Sequence, residues 1–90
     1  LPADTDVQQP QAVEIAWTAY REAYQAAYGT EVPKRFVMTA AFNRDNDWGN
    51  VWCMTIVDPT RLEGRSAGQV FIKAATGEVM DVYAAEGGNG

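Results

Sequence analysis

Covalent chemistry has few places to start in this chain. Its 90 residues include one cysteine, Cys53, and no histidine. Neither a Ser-His nor a Cys-His pair can be assembled, so a nucleophile would lack the base that activates it. Cys53 lies mid-strand between Trp52 and Met54, the setting of a small packed hydrophobe rather than of a reactive thiolate. One thiol without imidazole leaves zinc short of its usual ligands. No glycine-rich loop precedes a helix to cradle a phosphate.

Carboxylates remain. Asp45 and Asp47 share a turn with Asn43 and Asn46, an oxygen-rich run that resembles the start of a calcium loop. Such a loop needs a longer ligand series ending in a bidentate glutamate, and no acid stands at that place. A tight Asx turn accounts for the cluster better. Glu31 or Asp81 could serve as an acid or base, but nothing around them singles them out. No catalytic residue, metal or cofactor is expected, and the chain reads as a binding domain rather than an enzyme.

The elements that must position any binding residues follow from periodicity. From Gln11 to Tyr28 there is no glycine or proline and alanine is the commonest residue; Gly29 stops this helix and Pro33 prevents its resumption. On a projection of about 100° per residue, Ala12, Ala16, Ala19, Ala23, Ala26 and Ala27 with Ile15 form a small-residue face. Val13, Trp17, Tyr20, Tyr24 and Tyr28 form an aromatic flank beside it. Four alternating segments come next: Arg35 to Asn43, Asn50 to Asp58, Gln69 to Ala74, and Val79 to Tyr83. Their connections are too short for crossover helices, so the strands run antiparallel. The expected fold is α+β, one N-terminal helix packed on a four-stranded antiparallel meander. The expected core sets Trp52, Ile56, Val70 and Ile72 under Ala16, Ala19 and Ala23. Either Val79 or Met80 could face inward on the last strand.

Length allows one domain, expected over 11–83, with a flexible arm at 1–10 and a flexible tail at 84–90. A net charge of −5 with seven scattered Lys and Arg argues against nucleic acid, which requires a basic stripe. The apolar runs are too short for a membrane span. The first residues, Leu1-Pro2-Ala3-Asp4, include no methionine and no visible signal peptide, which leaves a processed or a cut end open. The periplasm is the expected compartment, with the cytoplasm as the alternative.

The order of motifs resembles a known family. An alanine-rich helix ending in Tyr28-Gly29 is followed by Pro33 and a Phe36-led strand, a strand with central Trp52, the Ala67-Gly68 step before Val70-Phe71-Ile72, and a Thr76-Gly77-Glu78-Val79 hairpin. Over roughly residues 11 to 83 this is similar to small bacterial immunity proteins with a nuclear-transport-factor-two-like, or cystatin-like, fold. The family usually carries Gly-Gly where this chain has Ala67-Gly68, and an aliphatic residue where it has Met54. The resemblance implies an inhibitor that occludes the active cleft of a cognate toxin delivered by a secretion system. The Thr-Gly-x-Val ending is also similar to PepSY-type domains, which implies a peptidase inhibitor or regulator as the alternative. A third reading is a small-ligand or enzymatic site between helix and sheet, which needs about 300 Å³ or more. Partner-binding residues are expected on the two longest loops: Asp45, Asp47 and Trp48 on one, Arg61, Glu63 and Arg65 on the other. A homodimer stays open.

Overall fold

Residues at four-residue spacing on a single helix decide how this molecule is put together. The computed structural model describes residues 2–45, 47–61 and 66–84. Helix α1 spans Gln9–Tyr28, and strands β1 (Val37–Asp45), β2 (Gly49–Val57), β3 (Ser66–Lys73) and β4 (Val79–Tyr83) follow. Neighbours in sequence pair antiparallel in the order β1-β2-β3-β4. The fold is therefore the expected α+β arrangement of one helix on a four-stranded meander. The helix starts two residues before Gln11 because Pro10 occupies its first turn, where a missing N–H costs nothing. It ends at Gly29, whose φ of 70° is left-handed and whose N–H donates to the Gln25 carbonyl at 2.8 Å. β1 begins later than Arg35 because a turn intervenes, with the Phe36 N–H donating to the Pro33 carbonyl at 3.1 Å.

The sheet sends Trp52, Met54 and Ile56 from β2 and Val70 and Ile72 from β3 into the core, none more than 4% exposed. The helix answers with Ala12, Ala16 and Tyr20, all fully buried. This corrects the expected helix face. Ala19 and Ala23 are only half-buried, Ala26 and Ala27 are exposed, and Tyr20 from the aromatic flank lies at the centre. The reason is Gly68 on β3. Its φ is +149°, and a Cβ there would stand 2.6 Å from the Tyr20 ring and against the Tyr83 carbonyl oxygen. The missing side chain leaves a hollow for the ring, and the Tyr20 hydroxyl donates to the Ala67 carbonyl at 2.7 Å. Burial, then the neighbouring Tyr24 and Tyr28, hold the Tyr20 phenol far above the usual tyrosine range, so it remains a neutral donor.

Of the segment expected as an arm, Val7 is tied down. Its N–H donates to the Ala74 carbonyl at 2.7 Å, its carbonyl accepts from Trp52 Nε1 at 2.8 Å, and its side chain packs on the core. Apart from Ala84, the expected tail lies outside the described residues. At the last hairpin Val79 pairs with Ile72 and packs inward, while Met80 is the extra residue of a bulge. The helix lies mainly over β3 and β4. The inward residues of β1, namely Met38, Ala40 and Phe42, consequently stay half-buried.

Removing the Tyr20 hydroxyl (Tyr20→Phe) orphans a buried carbonyl and should cost about 1–2 kcal/mol in urea unfolding. Ala16→Leu should cost about 1–3 kcal/mol by overpacking. Ala19→Leu, which borders an open groove on the helix flank, should stay within about 0.5 kcal/mol.

Candidate functional site

Two aspartates organise the two ends of the sheet. At the β1–β2 turn, Asp45 Oδ1 accepts the backbone N–H of Asp47 at 2.7 Å and of Trp48 at 2.9 Å. This is the Asx turn expected from the sequence. Asp45 is thereby committed to holding the turn, while Asp47 is exposed. The Trp48 ring is half-buried and meets Phe71 edge-on at 6.2 Å, on the sheet face away from the helix.

At the other end, Asp58 is 5% exposed and gathers four donors. Arg35 reaches both carboxylate oxygens, through Nε at 3.0 Å and a terminal nitrogen at 2.9 Å. The Thr60 N–H and hydroxyl both donate to Oδ1, at 3.0 and 2.6 Å. The Arg35 hydrogen bond first, and then Thr60, hold the Asp58 carboxyl far below the usual range. The sequence reading missed this pair, because its members are 23 residues apart. Arg61 closes the same turn, its N–H on the Asp58 carbonyl at 3.1 Å. Glu63 and Arg65 lie outside the described residues.

The structure does not bring the two expected loops together. Asp45, Asp47 and Trp48 sit at one end of the nine-residue strand β2 and Arg61 just beyond the other, about 25–30 Å apart at the rise of a strand. They belong to two different surfaces.

Those surfaces differ in sign. The helix N-terminus and the β3–β4 turn share the end that holds Asp45, because Val7 is bonded to Ala74 and Gly77 lies beside Val7 and Ile15. That end collects Asp4, Asp6, Glu14, Asp45, Asp47 and Glu78 against Arg44 and Lys73. The opposite end, fixed by the Tyr24–Phe36 contact at 6.0 Å and the Tyr28 hydroxyl on the Ala84 carbonyl at 3.0 Å, collects Arg21, Lys34, Arg35 and Arg61 against Glu22, Glu31 and the paired Asp58. A chain of net charge −5 thus carries a locally positive end.

A groove of about 550 Å³ opens at the positive end, between α1 and the segment leading into β1. Trp17, Val32, Pro33 and Phe36 form its half-buried walls, and Arg21, Glu31 and Lys34 are its exposed charged lining. The Arg21 guanidinium lies 5.5 Å from the centre of the Trp17 ring. On the other flank of α1 a second groove of about 400 Å³ is lined by Ile15, Ala19 and Val79 with Glu14 and Glu22. None of the buried core residues lines either groove. Cys53 is half-buried on the outer sheet face beside Gln69, and burial pushes its thiol up, away from the reactive thiolate. Among the described residues no three metal-ligating side chains come together, and no helix is long and apolar enough to cross a membrane. Comparison with protein-family models, curated proteins and solved structures finds no match to this chain.

The Asp58 site sets a pH dependence. Its pKa is lower folded than unfolded, so its stabilisation is complete above about pH 4 and is lost as pH falls toward the depressed folded value. Urea unfolding at a series of pH values should therefore show stability declining below about pH 4. Asp58→Asn should be less stable at neutral pH and should lose less over that acid range.

Proposed function

We propose that this chain is a protein-binding domain of the immunity type, which occludes the basic active cleft of a cognate toxin with its acidic end. The observation that supports the reading is the collection of acids around a pre-organised, aromatic-bearing turn. Asp45 fixes the backbone of that turn, so Asp47 and Trp48 are presented with little entropy left to lose on binding. Acids clustered at one end steer the molecule toward a positive cleft and speed encounter at low salt. Trp48 supplies the aromatic anchor, because such residues dominate binding energy when a partner fully desolvates them.

The test is titration against the product of the adjacent gene. Trp48→Ala should lose about 2 kcal/mol or more of binding. It should lose only about 0.5–1.5 kcal/mol of stability, from the Phe71 contact. Asp47→Lys should slow association and weaken its salt dependence while leaving dissociation little changed. Absence of binding at micromolar concentration would overturn the immunity reading and bring the peptidase-regulator reading forward.

A further inference from the structure

We infer that the groove between α1 and the segment leading into β1 is a second binding site, one that takes an extended peptide segment carrying an acidic side chain next to an aliphatic or proline residue. It lies at the end of the sheet opposite Asp47 and Trp48, so it is separate from the toxin-occluding surface. Three features place it. Trp17 and Phe36 stand half-buried as walls of the groove, with Arg21 over the first ring and Arg35 over the second. Arg21 and Lys34 line the same groove, and among the described residues neither has an ion-pair partner. Two cations share the groove with a single carboxylate, Glu31, and this leaves a counter-charge for the occupant to supply.

The chemistry of the occupant follows from these groups. Arg21 lies over the Trp17 ring, a contact that leaves it fewer rotamers to lose when its planar fork meets a carboxylate. Lys34 lines the same groove and offers a second cation. Glu31 lines the same space and leaves it one positive charge in excess, too few for a nucleic-acid backbone but suited to a single carboxylate. The aromatic walls and Pro33 favour an aliphatic or proline side chain, as aromatic-lined grooves do for extended proline-containing segments. The groove of about 550 Å³ has room for two or three such residues.

The experiment is a ¹⁵N–¹H NMR titration of the intact chain with acetyl-Glu-Leu-Pro-amide and, separately, with its neutral counterpart acetyl-Gln-Leu-Pro-amide. The acidic peptide should shift the Trp17 indole and the amides of Lys34 and Phe36, and bind at least fivefold more tightly than the neutral one. The double variant Arg21→Glu, Lys34→Glu should abolish these shifts. Both side chains are exposed and only the Arg21–Trp17 contact is lost, so its melting temperature should fall by no more than about 5 °C, and its binding to the adjacent gene's product should remain. Equal binding of the two peptides, or shifts confined to other residues, would overturn the assignment. So would groove shifts that depend on protein concentration without peptide, since a second copy would then be the occupant. Each of these outcomes leaves the acidic-end reading standing, whereas failure of the toxin titration leaves the groove standing.

Discussion

One helix has to cover four strands, and it cannot cover them all. A helix with its side chains is about 10–12 Å across, while four strands spaced about 4.8 Å apart span some 14 Å between their outer axes, before side chains are counted. Where the helix is seated therefore decides what is core and what is surface. Tyr20 settles this by entering the hollow above Gly68 and bonding the Ala67 carbonyl. The helix lies over β3 and β4 as a result, Trp52, Met54, Ile56, Val70 and Ile72 close beneath it, and β1 keeps Met38, Ala40 and Phe42 half-buried. The groove beside Trp17 is a consequence of that seating rather than a separate feature.

The same seating distributes charge. α1 carries Glu14 near one end of the sheet and Arg21 toward the other, and neither its first nor its last turn holds a charge that complements the helix dipole. Packing, rather than end electrostatics, stabilises this helix. Two further charged groups are spent on the fold. Asp45 and Asp58 each accept a backbone N–H two residues on, at opposite ends of β2. Arg35 is drawn into the Asp58 site as well. Asp47 at the acidic end and Arg21 and Lys34 at the basic end are among the charged side chains left exposed.

Much of this was legible in the sequence, for identifiable reasons. The change from helical to two-residue periodicity after Pro33 gave the fold. Gly29 and Thr76-Gly77 gave the helix stop and the last hairpin, because those backbone angles leave little choice of residue. The outward and inward sets of β2 followed from alternation alone. Helical projection placed Tyr20 on the wrong sector because it cannot see a hollow on another element. A Gly68 without its neighbours is only a small residue before a strand. The Arg35–Asp58 pair and the Trp17–Phe36 groove join residues distant in sequence, which no local pattern marks. The separation of the two expected loops did have a signal. In a meander, successive turns fall at opposite ends, and a nine-residue strand sets them far apart.

The central claim is that one fold holds an acidic end and a positive groove apart, and solvent paramagnetic relaxation tests it most directly. Amide and indole line broadening would be compared between an anionic nitroxide and its cationic analogue at low ionic strength. The account predicts that the anionic probe broadens Trp17, Lys34 and Phe36 more strongly, and that the cationic probe dominates from Asp45 to Gly49. Dominance of the cationic probe at both ends, as a uniformly spread charge of −5 would produce, would contradict it.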